Sequence, residues 1–126
     1  MFSAGLESTL EMNHEIKDKY FGVPLSEWIK NIPNELEVDA VGLWQIVASG
    51  KDGFGLKGKN LTNFLAQAIL GLLEKGAKPV RSINGNWVIQ NQYGNQNHLI
   101  ISRILNELEQ GAEPDEDGIW FSIYIN

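Results

Sequence analysis

Gly76-Ala77-Lys78-Pro79-Val80-Arg81-Ser82-Ile83-Asn84-Gly85-Asn86-Trp87-Val88-Ile89-Gln90 is the stretch that decides the fold. Gly76 suits the left-handed conformation that closes a helix, and Pro79 prevents continuation. Asn84-Gly85 then supplies the two positive-φ positions of a type I′ turn. Val80–Ile83 and Trp87–Gln90 are therefore expected to be the strands of a hairpin. A helix that stops and a hairpin that follows at once point away from alternating βα units.

The helix that stops runs back from Lys75 to Asn60. Leu61, Phe64, Leu65, Ala68, Ile69, Leu72 and Leu73 make a wide apolar stripe at helical spacing. Asn60 is the expected N-cap, and Gly71 inside the helix suggests a close packing contact. Downstream, Tyr93-Gly94-Asn95 turns into a second helix, Gln96 to Gln110, with Ile101, Ile104, Leu105 and Leu108 on its core face and Gly111 at its end. The last element, Ile119 to Ile125, alternates with period two and reads as a strand.

Towards the N-terminus, Pro24 to Pro33 reads as a short helix through Leu25, Trp28, Ile29 and Ile32, started by Pro24 and stopped by Pro33. Asp39 to Ser49 fits a helix capped by Asp39 and closed by Gly50, although Leu43 to Val47 also fits a buried strand; helix is the preferred reading. Lys51 to Lys59, with three glycines, reads as a loop. About four helices and three strands result. The expected class is α+β: helices on one face of a small antiparallel sheet made of the hairpin and the C-terminal strand. Residues 20–126 form the expected domain, and residues 1–19 a weakly ordered extension in which Met12 is an alternative start.

Composition narrows the function. The chain has 126 residues, 43% of them apolar, and no cysteine, so thiolate metal sites, disulfides and cysteine nucleophiles are excluded. No apolar run approaches the ~20 residues that span a bilayer. Met1 to Asn13 holds Glu7 and Glu11 but no Lys or Arg, unlike a secretory signal, and a cytoplasmic location is the default expectation. The net charge is −6, from 16 acidic and 10 basic residues, with only two arginines. That balance argues against nucleic acid and for a basic protein surface as partner.

Catalytic constellations are hard to assemble from these residues. His14 and His98 are far apart and in no ligand spacing, and no serine elbow is present. Gly53-Phe54-Gly55-Leu56-Lys57-Gly58-Lys59-Asn60 has the glycine spacing of a phosphate loop, but Asn60 stands where such a loop needs Ser or Thr. Glu113, Asp115, Glu116 and Asp117 run straight into Ile119-Trp120-Phe121, which no EF-hand calcium loop allows. The expectation is a protein without cofactor or metal that is not an enzyme.

One feature is less ordinary. The acidic turn Glu113 to Asp117 leads into Trp120, Ser122 and Tyr124, while Ile119, Phe121, Ile123 and Ile125 form the opposite, core face. With helices covering that core face, Trp120 and Tyr124 would lie beside Glu113, Asp115, Glu116 and Asp117, in the aromatic-and-charge pattern of an interface. The alternative is that Trp120 packs under the N-terminal segment. Glu35, Glu37 and Asp39 form a second acidic patch.

Two resemblances follow from these motifs. The helix, Gly, Ala, x, Pro pattern at Ile69–Pro79 recurs at Ile104–Pro114, which resembles the end of an ankyrin repeat and leaves a helical-repeat scaffold as one reading; shared helix-end chemistry is the other. The Leu61–Leu73 helix, Gly76–Val80, Trp87, Gln92-Tyr93-Gly94, an amphipathic helix and Asp117–Phe121 together resemble small bacterial immunity proteins of contact-dependent growth inhibition and related polymorphic toxin systems. That resemblance implies binding and neutralising a cognate toxin domain, often a nuclease, and transfers no individual site residue. Binding of a small anion or nucleotide at Gly53–Asn60 is the alternative function.

Overall fold

The computed structural model describes residues 15–125. His14, Met12 and the part of the N-terminal extension up to residue 14 lie outside the described residues. The chain order is α1 (Leu25–Asn31), a 3-10 helix (Ile32–Glu37), β1 (Val41–Gly42), α2 (Leu43–Ala48), a π-helical turn (Ser49–Gly53), α3 (Gly58–Glu74), β2 (Lys78–Ile83), β3 (Asn86–Ile89), a 3-10 turn (Asn91–Tyr93), α4 (Asn97–Glu109) and β4 (Trp120–Ser122). The fold is α+β: among the described residues, four α-helices with one four-stranded antiparallel sheet in the order β1-β4-β2-β3. The C-terminal strand is a central strand of that sheet.

The hairpin forms as the turn residues require. Asn84 and Gly85 adopt φ of 52° and 82°, and the strands pair Ile83 with Asn86 and Val80 with Ile89. The two long helices end by the same chemistry. Gly76 donates to the Leu73 carbonyl and Ala77 to Leu72; Gly111 donates to Leu108 and Ala112 to Glu107. Both glycines have positive φ, and both ends are Schellman motifs. The recurrence at Ile69–Pro79 and Ile104–Pro114 is thus helix-end chemistry: a hairpin follows the first copy and an acidic turn the second.

Several boundaries differ from the sequence-based expectations. Asp39 does not cap a helix. The segment first makes a two-residue strand, and α2 starts after Gly42, whose N–H is taken by the Gln45 side chain at 2.9 Å. Gly50 does not close α2, because the helical path continues through the π turn, in which Phe54 N–H bonds the Ser49 carbonyl. A Cβ on Gly50 would stand 2.7 Å from the Leu61 side chain and 2.9 Å from Phe64, so glycine here lets the turn touch α3. The loop expected from Lys51 is accordingly shorter. α3 begins at Gly58 behind Lys57, so Asn60 is inside it and not its cap. Pro33 ends only the α-helical part of its segment and sits in the 3-10 helix that follows. Gly71 does mark a close contact: a Cβ there would be 3.1 Å from Pro33 Cγ.

Residues 15–25 are tied to the rest of the chain. Pro24 offers α1 no side-chain cap. The Glu15 carboxylate accepts the Ser26 N–H instead, and hydrogen bonding from Ser26, from its side chain first and its backbone second, lowers the Glu15 pKa from the ordinary carboxylate value. Lys19 N–H bonds the Gly53 carbonyl, and Leu25 N–H the Ile16 carbonyl.

The core lies between the helices and one sheet face. α3 buries Phe64, Leu65, Ala68, Ile69, Leu72 and Leu73, α4 buries Ile100 and Ile104, and Leu36, Val41, Ile46 and Phe121 close the cluster. Register places Val41, Phe121 and Pro79 in one row across the sheet. Gly42, Trp120, Val80 and Ile89 form the neighbouring row on the other face. On that second face Trp120 packs against Trp44 and Trp87, with ring centroids 6.5 and 5.8 Å apart.

Candidate partner-binding surface

The acidic turn connects α4 to β4. Asp115 shapes it: its carboxylate accepts the Asp117 N–H at 3.0 Å, and its carbonyl accepts Gly118 N–H. Glu113, Asp115, Glu116 and Asp117 are all exposed. Trp120 lies beside them and is only partly open. Its indole Nε1–H donates to the Glu116 carbonyl at 2.8 Å, and its ring is half-buried between Trp44 and Trp87; the alternative of packing under the N-terminal segment falls mostly outside the described residues. Trp120 and Trp87 share one face because register puts Trp120 and Val80 opposite each other, and Trp87 opposite Ser82 two residues on; Trp44 reaches that face from the first turn of α2.

The strand expected to span Ile119 to Ile125 is paired only over Trp120–Ser122. β1 offers two residues and β2 starts opposite Ser122, so no neighbour remains beyond it. Ser122 is 2% exposed; its hydroxyl donates to the Tyr124 carbonyl and accepts the Tyr124 N–H, which turns the chain. Tyr124 thereby leaves the Trp120 face and reaches the second acidic patch, where its hydroxyl donates to the Glu37 carbonyl at 3.3 Å.

The expected residues therefore fall into two groups. Trp120 goes with Glu113, Asp115, Glu116 and Asp117. Tyr124 goes with Glu35, Glu37 and Asp39, at the end of the 3-10 helix. Glu37 is engaged by Lys75 at 3.0 Å, the one ion pair among the described residues. Asp39 accepts the Ala40 N–H at 2.7 Å.

Sequence reasoning missed two members of the second group. Val38 is 84% exposed between Glu37 and Asp39, and Tyr124 beside it is 59% exposed. Glu27 on α1 lines a cleft of about 540 Å³ together with Glu35 and Asp39, over a wall of Trp28, Ile32 and Ile46. An isolated valine in an acidic tripeptide carries no periodic signal. Glu27 was legible only as the polar side of α1.

The glycine segment has a different context from a phosphate loop. It enters from the π turn and not from a strand. Lys51 and Lys59 border a larger groove of about 1000 Å³, walled mainly by Trp44, Val47, Leu61, Leu65, Leu105 and Leu108, with Glu109 and Glu113 on its rim. His98 is exposed in the first turn of α4. No helix among the described residues is long and apolar enough to cross a membrane.

No protein-family model matches the chain, and neither curated proteins nor solved structures match it.

Proposed function

We propose that this protein works by binding, as an immunity-type inhibitor that engages a basic protein domain through its acidic surface. The observation that carries the reading is the Val38–Tyr124 patch. Val38 and Tyr124 are both exposed, the Tyr124 hydroxyl reaches the carbonyl of Glu37 next to Val38, and Glu35, Glu37 and Asp39 belong to the same stretch. An apolar centre inside a charged rim is the anatomy of a protein interface. Lys75 pairs with Glu37 alone; Glu35 and Asp39 make no ion pair among the described residues, and such carboxylates favour a partner that brings its own cations and speed its encounter. The adjoining cleft, with Glu27, Glu35 and Asp39 above an apolar wall, suits a Lys or Arg side chain whose stem is buried and whose head meets carboxylates.

The resemblance to immunity proteins supplies the partner class, a cytoplasmic toxin domain, often a nuclease whose nucleic-acid surface is basic. On this reading the protein needs neither cofactor nor metal and catalyses nothing. The test is co-expression with the toxin encoded in the neighbouring reading frame, scoring complex formation and growth rescue. Rescue that is lost on Val38→Asp with Tyr124→Ala supports the proposal. Absence of both complex and rescue overturns it.

A further inference from the structure

We infer that the free edge of β3 is a self-association surface, on which a second copy of this chain pairs antiparallel about Val88. The hairpin geometry fixes which backbone groups are free. In a two-residue turn Ile83 and Asn86 form the hydrogen-bonded pair, and such pairs alternate along an antiparallel ladder. Asn86 and Val88 therefore direct their N–H and C=O towards β2. Gln90, next in the same phase, bonds the Pro79 carbonyl at 2.9 Å. Trp87 and Ile89 direct theirs outward, and among the described residues β3 ends the sheet on that side.

The edge carries none of the usual guards against pairing. Asn86–Ile89 has no charge and no proline, and its register with β2 runs without a bulge. Between Arg81 and Arg103 the chain has no Asp, Glu, Lys or Arg, in a protein of net charge −6. Asn84, Asn86, Asn91, Gln92, Asn95 and Gln96 on this stretch are all exposed. Two copies of an acidic chain repel wherever their carboxylates meet, and this neutral, amide-rich stretch is where they can approach. A basic partner finds no counter-charge there, which is why the occupant is a second copy.

The segment also matches itself. With a twofold axis at Val88, Trp87 of one copy falls opposite Ile89 of the other. Both outward N–H groups and both outward carbonyls of each copy then find partners. Val88 meets Val88 in a close, non-hydrogen-bonded pair, and Asn86 stands opposite Gln90. Trp87 against Ile89 is an aromatic and β-branched pair of the kind that stabilises sheets. Two four-stranded sheets become one of eight strands, closed by symmetry so that no further copy adds.

Val88 is 40% exposed, so a charge there is tolerated by the isolated chain. The experiment is sedimentation of the wild type, of Val88→Lys and of Val88→Glu, each alone and the two variants mixed. Expected is a wild-type dimer, monomeric single variants with self-affinity reduced at least about tenfold, and dimers restored in the mixture, since opposite charges then face each other. A wild type that stays monomeric up to about 1 mM, the weak end of specific association, overturns the proposal. So do single variants that still form dimers, or a mixture that stays monomeric. Circular dichroism of each variant shows that the fold is retained.

Discussion

The Tyr93 hydroxyl donates a 2.7 Å hydrogen bond to the Glu107 carboxylate, tying the turn after β3 to the last turn of α4. Burial raises the Tyr93 pKa from its ordinary value, the bond to Glu107 and the charge of that carboxylate raise it further, and Arg81 works in the opposite sense. A phenol whose folded pKa lies above its unfolded value holds its proton more tightly in the native state. Its contribution is fully present below about pH 10, the unfolded value, and is lost as pH rises through the window above it. Tyr93→Phe is expected to lose about 1 kcal/mol at neutral pH and to flatten the alkaline fall in stability. Urea titrations at pH 7 and above pH 10 measure both.

Glu15 gives the opposite sign. Hydrogen bonds from Ser26, side chain first and backbone N–H second, lower the carboxyl pKa, so the stability Glu15 brings to the start of α1 is present above the unfolded value and lost as pH falls through the folded one. Glu15→Gln should speed amide exchange in the first turn of α1 at pH 7. The difference between variant and wild type should vanish in acid, where the wild-type carboxyl is protonated too.

Trp120 is expected to be structural before it is anything else. Trp120→Ala removes a ring packed on two others and frees the Glu116 carbonyl, and should cost about 3 kcal/mol in denaturant unfolding. Phe121→Ala, at a fully buried site in the core row, should cost as much or more. A Trp120 variant that unfolded like the wild type would put this side chain back among the candidate anchors.

The two acidic groups should separate under charge reversal. Glu35→Lys with Asp39→Lys should slow association with a basic partner by about tenfold, with the effect shrinking as salt rises. Glu113→Lys with Glu116→Lys should do so only if the partner also covers the α4–β4 turn. Neither pair should change unfolding by more than about 0.5 kcal/mol, because these side chains are exposed. Stopped-flow association and chemical denaturation report the two effects independently.

Local chemistry was readable in the chain wherever one residue decides a backbone conformation. Asn84-Gly85 placed the hairpin and its register, and Gly76 and Gly111 placed both helix ends. The apolar stripe from Leu61 to Leu73 identified the helix at the centre of the core. What was not readable depended on partners distant in sequence. Val41–Gly42 is a strand only because Phe121 and Trp120 lie beside it, and nothing within the segment Asp39 to Ser49 announces that. The alternation from Ile119 to Ile125 identified Ile119 and Phe121 as core. It could not show that pairing stops at Ser122, since that depends on where β1 and β2 begin. Trp120 and Tyr124 looked like neighbours on one face. The hydroxyl of Ser122 sends them to different patches.

The position of β4 has a consequence for how the protein is made. β1 and the β2–β3 hairpin are not hydrogen-bonded to each other; each pairs with β4, which follows both in the chain. Until residues 120–122 have left the ribosome, the core face that Phe121 covers has no strand over it, whatever α3 and the hairpin have formed by then. A nascent chain stalled before that point is a substrate for chaperones, and release of three residues ends the exposure.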